Sequence, residues 1–304
     1  MADAPRHRPL LALLIRLCAA AALATLAALV KLASDRGIHL LEIAFWRQAA
    51  TVPALLGWVA ATGGGLRVLA TRRPLRHFQR ALYGLAGMML TFGGVILLPL
   101  TEATVMNFTA PIWAVVLAML LLKEKIGIWR WSAVVLGFVG ILVIARPGDG
   151  HIPPIGALVA LGGAFMIALI SIQIADLNRT EHPVTIVFYF AAFTTPLLGL
   201  ALPLVGTAHD AAEWALLLGL GAVGLLCQLL LTASLRFGSV ASVIVMDYSA
   251  LLWATLYGWL LFATLPPTST WLGAPLIVAA GLIIAWREHH LSRRASPATA
   301  LEGT

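Results

Sequence analysis

The sequence predicts an all-α integral membrane protein: ten transmembrane helices arranged as two inverted five-helix repeats. Three observations predict it. The composition is too apolar for a water-soluble domain, apolar runs of spanning length recur ten times, and the second half of the chain echoes the first. Of the 304 residues, 61% are hydrophobic and 11% charged, against roughly 25% charged in an ordinary soluble domain. Such a chain could not cover itself with polar surface, and disorder would need low hydrophobicity and high charge. The net charge of +7 would suit nucleic acid. Its basic residues, however, sit in short gaps between apolar stretches, the pattern that orients membrane helices. The expected partner is therefore the lipid bilayer, not nucleic acid.

The apolar windows fall in order along the chain. The first, 10–32, is too long for a signal-peptide core and is expected as a retained helix. The second, 39–61, carries Glu42 near its outer end and Arg47 within it. The third and fourth, 81–99 and 102–122, are nearly continuous, with Pro99 and Glu102 marking the turn. Next come 128–145, 153–174 with Gln173 at its end, 183–205, 212–235 with Gln228, 239–263 with Asp247, and 270–287. The runs are long, Leu- and Ala-rich and without period-two alternation, so strands do not compete. Cys18 and Cys227 both lie inside apolar runs and are expected as buried free thiols. Gly219-Leu-Gly-Ala-Val-Gly224 spells a dinucleotide-binding motif, but it has no preceding strand or acidic partner. Its glycines instead predict close helix approach.

Ten crossings put both termini on one side. With the termini inside, the inner segments hold Arg6 and Arg8; Arg67, Arg72, Arg73, Arg76 and Arg80; Lys123, Lys125 and Arg130; Arg179; Arg236; and Arg287, Arg293 and Arg294. The outer segments hold Lys31, Arg36 and Arg146. This bias predicts cytoplasmic termini.

The halves are related residue by residue. At an offset of 140, Val105-Met-Asn-Phe-Thr-Ala-Pro-Ile-Trp-Ala114 lies over Val245-Met-Asp-Tyr-Ser-Ala-Leu-Leu-Trp-Ala254, with five of ten positions identical. At an offset of 143, Ile43, Phe45, Ala49, Thr51, Pro53 and Leu55 recur as Ile186, Phe188, Ala192, Thr194, Pro196 and Leu198. The repeats are 1–147 and 148–304. Five helices is an odd number, so the second repeat enters the membrane from the opposite side, an architecture of secondary transporters. Two similar halves of opposite orientation can pack open inward or open outward, exposing a site between them alternately.

Leu98-Pro-Leu-Thr-Glu-Ala-Thr, Phe108-Thr-Ala-Pro111, Lys123-Glu124-Lys125, Arg130-Trp-Ser-Ala-Val-Val-Leu-Gly-Phe-Val-Gly140 and Arg146-Pro-Gly148 resemble the EamA domain of the drug/metabolite transporter superfamily. The second copy resembles it through Ala233-Ser-Leu-Arg-Phe237, Tyr248, Gly258-Trp259, Pro266 and Gly281, and departs from it at Thr264, where an acidic residue matching Glu124 is usual. The likeness covers about residues 10–287 and looks closest to the bacterial subgroup containing riboflavin and S-adenosylmethionine carriers. It implies a multi-pass transporter of the bacterial inner membrane, without a cofactor, for a small polar metabolite such as an amino acid, vitamin, nucleotide-like compound or drug.

An ionisable group in the hydrocarbon costs about 2.5–3.5 kcal/mol on insertion scales, so each needs a reason. Arg47 is either an anchor for a substrate carboxylate or phosphate, which guanidinium grips in a fork, or an internal clamp between helices. Its repeat mate is Phe190. Asp247, mirrored by Asn107, is either a proton carrier or amine contact, or a static helix-to-helix partner, with Arg16 at a similar depth. Protons are accordingly the candidate coupling ion. Trp113, Trp253, Phe108 and Tyr248 could stack on a planar substrate or simply pack. Gln228 and Gln173 face either a cavity or a neighbouring helix. No phosphate-binding loop of an ATPase occurs. A multipass enzyme on lipid-linked substrates would need clustered acids, histidines or metal ligands, and none are clustered. A non-transporting scaffold would not need an inverted repeat.

Overall fold

The computed structural model describes residues 9–61, 66–110, 112–114, 116–117, 128–145, 152–237, 247 and 249–295. Twelve helices are defined among them: α1 (Pro9–Asp35), α2 (Leu40–Ala49), α3 (Thr51–Ala61), α4 (Pro74–Leu97), α5 (Leu100–Asn107), α6 (Ile128–Ala145), α7 (Pro154–Leu177), α8 (Pro183–Gly199), the single turn α9 (Leu202–Val205), α10 (Ala211–Phe237), α11 (Ala250–Phe262) and α12 (Thr268–Ala295). No strand occurs among the described residues. Four helices are long and apolar enough to cross a bilayer: Leu10–Asp35, Pro74–Leu97, Pro154–Leu177 and Ala211–Ser234. Trp131–Ile144, Pro183–Gly199, Ala250–Phe262 and Thr268–Ile283 are shorter apolar helices.

Local chemistry sets the boundaries. α1 stops where Gly37 takes φ +85°, the left-handed conformation that favours glycine, and Ile38 N–H closes back on Ala33 O at 3.2 Å. His39 then caps α2, its Nδ1 accepting from Leu41 N–H at 3.2 Å. His182, 143 residues later, caps α8 in the same way, accepting from Val184 N–H at 3.3 Å. The run 40–61 divides at Ala50 into α2 and α3, because Pro53 has no N–H to offer the carbonyl of Ala49. Its repeat mate Pro196 lies inside α8, which ends one turn later. The turn expected at Pro99 is present, with α4 ending at Leu97 and α5 starting at Leu100. α4 begins at Pro74, seven residues before the apolar window. Its first turns carry Arg76, His77 and Arg80, which a hydropathy window excludes.

The helices pack in a pattern of exchanging pairs. α1 runs along α10 and α4 along α7; α2 meets α10 and α4 meets α8; α1 meets α11 and α5 meets α7; α6 packs on α12, α2 on α8 and α5 on α11. The α6–α12 crossing is tight: a Cβ on Gly273 would stand 2.7 Å from Gly140 O, an approach that side chains would prevent. The main core joins Leu26, Ile43, Leu98, Leu100, Met106 and Leu220. The exterior is apolar, with Leu14, Leu142, Leu158, Leu218, Leu252 and Trp259 exposed. Hydrocarbon is the solvent such a surface fits. Cys227 is buried as expected, whereas Cys18 sits on the outward face of α1.

Candidate functional site

α2 is the polar heart of the molecule. Glu42, Arg47 and Gln48 are all buried on it. Gly221 of α10 lets it approach closely, since a Cβ there would lie 2.7 Å from Ala50 Cβ. Gly224 makes room for Arg47 itself: a Cβ there would meet Arg47 Cγ at 2.8 Å. Two glycines of the discarded dinucleotide-like motif thus serve helix approach, as expected.

Arg47 Nη1 lies 3.0 Å from Gln48 Oε1 and 2.8 Å from Met88 Sδ, and its guanidinium stands 5.5 Å from the Phe92 ring centre. Gln48 is held in turn, its Nε2 donating to Thr194 Oγ1 at 2.8 Å. Thr194 is the repeat mate of Thr51, so Arg47 lies where the two halves meet.

Asp247 is forked by Arg16, Nε to Oδ1 at 2.5 Å and Nη2 to Oδ2 at 2.6 Å, while Arg16 Nη1 reaches Ser234 Oγ at 3.3 Å. Of the alternatives open for Asp247, this conformation displays the partnership with Arg16. Asn107 is half-buried with its Oδ1 unpartnered. Trp113 packs edge-on against Phe138 and Phe165, its Nε1 also unpartnered. Trp253, 38% exposed, lies over Tyr257. Gln228 is half-buried on α10, and Phe108 is buried. Tyr248 and Lys123-Glu124-Lys125 lie outside the described residues. Gln173 borders a cavity of about 280 Å³ together with Arg73, Arg76, Ile172, Asp176 and Leu177.

The structure adds residues that the sequence did not single out. At the end predicted to face outward, His209 bridges the halves: Nε2 is 2.7 Å from Glu42 Oε1 and Nδ1 is 3.1 Å from Glu213 Oε2. The Asp210 N–H donates to Glu213 Oε2 and the Glu213 N–H to Asp210 Oδ1, a capping box that starts α10. Burial pulls the His209 pKa down, but hydrogen bonding to Glu42 and Glu213 outweighs it and holds the pKa above the ordinary value. At the opposite end, Arg73 Nη2 pairs with Asp176 Oδ2 at 2.5 Å, Thr71 Oγ1 donates to Glu181 Oε1 at 2.7 Å, and Thr185 Oγ1 donates to Val68 O at 2.7 Å. Thr185 is the repeat mate of Glu42, so mirrored positions fasten opposite ends. Arg80, counted above as an inner-segment charge, is buried on α4 with its guanidinium 4.3 Å from the Phe190 ring centre.

Comparison with known proteins follows this architecture over nearly the full chain. It is 29% identical to a riboflavin transporter of Vibrio cholerae over 298 residues, covering 95% of this chain and 97% of that one. It is 29% identical to an S-adenosylmethionine uptake transporter of Rickettsia felis over 255 residues, covering 83% and 84%. It is 30% identical to a pseudopaline exporter of Pseudomonas aeruginosa over 265 residues, covering 85% and 90%. A solved protein crystal structure superposes with a TM-score of 0.65 over 90% of this chain and 94% of that one, at 21% identity, and shares the fold. The EamA-like transporter family matches twice, over residues 10–146 and 154–286. This chain belongs to the EamA-like transporter family, as a multi-pass bacterial membrane transporter and not an enzyme.

Proposed function

We propose that the protein is a secondary transporter of a small polar metabolite, built from ten membrane-spanning helices in two inverted halves, 1–147 and 148–304. Both termini lie in the cytoplasm, and the halves alternate access to a site between them. Four features support the inverted pair. The family matches each half separately. His39 and His182 cap equivalent helices. The helix pairs exchange when the halves are swapped, α1–α10 for α4–α7 and α2–α10 for α4–α8. The ties between halves also lie at opposite ends, Glu42–His209 at one and Thr185–Val68 at the other. Breaking one set while keeping the other is what alternating access requires.

The observation that carries the site is Arg47, a buried guanidinium at the junction of the halves with no carboxylate partner among the described residues. Asn107, Trp113, Gln228, Asp247, Tyr248 and Trp253 remain the other candidate contacts. Protons are the proposed coupling ion, and Asp247 would have to part from Arg16 to carry one. The relatives direct the first compounds to test: riboflavin, S-adenosylmethionine and pseudopaline. Purified protein in liposomes should exchange an internal compound for its labelled counterpart, and Arg47→Lys should cut that exchange strongly while leaving protein yield unchanged. Exchange undiminished in Arg47→Lys would remove Arg47 from the site.

A further inference from the structure

Most cations described inside this protein are answered. Arg16 has Asp247, Arg73 has Asp176, and Lys31 donates to the carbonyls of Val95 and Leu98 that end α4. Arg47 and Arg80 are the exceptions. Each is only 3% exposed, and neither is paired with a carboxylate among the described residues. Arg47 leaves Nε without a partner, and Arg80 leaves both Nε and Nη1. A buried charge without a counter-charge is costly, and two of like sign in one place are worse.

Their placement is structured. The Arg80 head stands level with Gly84, where an added Cβ would fall 2.0 Å from Nη1 and 2.6 Å from Phe190 Cε2. The Arg47 head stands level with Met88, its Nη1 at 2.8 Å from the sulfur. Gly84 and Met88 are one turn apart on α4, about 6 Å of rise. The two seats are related by the repeat. Gly224 of α10 receives Arg47, and Gly84 of α4, 140 residues earlier, receives Phe190, which is the mate of Arg47. Arg80 lies on that Phe190 ring. Equivalent glycine seats in the two halves therefore deliver two guanidinium groups to one neighbourhood, each backed by an aromatic ring and each with N–H groups left over.

We propose that Arg47 and Arg80 form a single oxyanion site for the cargo, so that the transported compound carries a phosphate or carboxylate and enters as an anion. This rests on the transporter reading above and narrows it. Guanidinium groups offer forked N–H donors that match oxyanions, and an arriving anion supplies the missing counter-charge. A neutral polyol would leave both cations bare. The site lies several residues inside α2 and α4, so a lipid headgroup at the membrane surface is not its occupant.

The test uses the full-length protein purified in detergent, with inorganic phosphate as the probe and sodium chloride at matched ionic strength as the control. Millimolar phosphate should raise the melting temperature by mass action. Arg47→Gln and Arg80→Gln should each abolish most of that rise. Without phosphate they should melt at or above the wild-type temperature, because an unanswered charge has been removed. Arg47→Lys and Arg80→Lys, which keep the charge and lose the fork, should fold and retain a weakened rise. The proposal is overturned if phosphate gives no rise, if the rise survives both Gln variants, or if both Gln variants unfold while the Lys variants keep the full rise. A rise given by phosphatidylglycerol and not by free phosphate would assign the pair to lipid and also overturn it. Liposome exchange separates the two readings. Transport of a neutral or cationic compound, indifferent to both arginines, would sink the anion site and keep the transporter. Phosphate binding through both arginines, with no compound exchanged, would do the reverse.

Discussion

Asp247 offers the sharpest test of what a charge is for in this membrane. Arg16 holds it through two bonds of 2.5 and 2.6 Å, with the side chains 14% and 25% exposed. Removing one partner of a fully buried pair costs about 3–5 kcal/mol, and an exposed pair contributes about 0–1 kcal/mol. Partial exposure places this pair between them. Asn keeps one acceptor oxygen, so Asp247→Asn should cost roughly 2 kcal/mol, the lower part of that interval. At about 2 °C per kcal/mol for a chain this long, the melting temperature should drop by about 4 °C. Arg16→Gln should cost a similar amount. The double variant should cost only about 1 kcal/mol, so that the coupling in a double-mutant cycle is about 3 kcal/mol. The assay is thermal unfolding of the four proteins in one detergent, with exchange measured in liposomes alongside. If Asp247 also carries the coupling proton, Asp247→Asn would in addition lose uptake driven by a pH gradient and keep exchange. Full stability with no coupling to Arg16 would refute the static partnership.

Three more outcomes are expected. His209 has a folded pKa above its ordinary value of 6.5, so its ties to Glu42 and Glu213 stabilise most when it is protonated. That stability is fully present below the ordinary value and is lost as pH rises through the raised one; melting temperature should therefore fall from mildly acidic to alkaline pH more steeply in wild type than in His209→Gln, and equal slopes would dismiss the bridge. Gly221→Ala should push α10 off α2 through the 2.7 Å approach to Ala50, costing about 1–3 kcal/mol in thermal unfolding; an unchanged melt would show that the crossing has slack. A reporter enzyme active only outside the cytoplasm should be silent when fused after Arg73 or Thr304 and active near His209, and activity at Thr304 would break the ten-helix count.

Much of the fold is legible because hydrocarbon is a strict solvent. Long apolar runs mark the helices, Pro99 marks a boundary, and the 143-residue repeat that joins Ile43 to Ile186 also joins the capping histidines His39 and His182. What composition hides is where a run breaks inside the membrane. α5 stops at Asn107 and the chain turns through Phe108 and Thr109, with Ile112 N–H returning to Thr109 O at 2.9 Å. Average hydropathy passes over that turn because all its residues suit the window.

The site was legible only where a charge stands alone. Arg47, inside an apolar run with only Gln48 as a polar neighbour, announces itself, and Arg16 is legible as a partner for Asp247 from its similar depth. Arg80 follows Arg72, Arg73 and Arg76, so counting charges by membrane side places it in an inner segment. Counting by helix phase gives a different answer. The small face of α4 passes through Gly84, Gly87 and Met88, all buried, and one turn back from Gly84 is Arg80, with His77 one turn back again. Arg76 falls off that phase and is exposed. Proline at the first helical position, Pro74, was the cue that α4 starts early enough for the phase to hold. The positive-inside rule concerns which side a charge favours while a helix inserts. It says nothing of which face the charge takes once helices pack, and for Arg80 that face turns towards the other half of the protein.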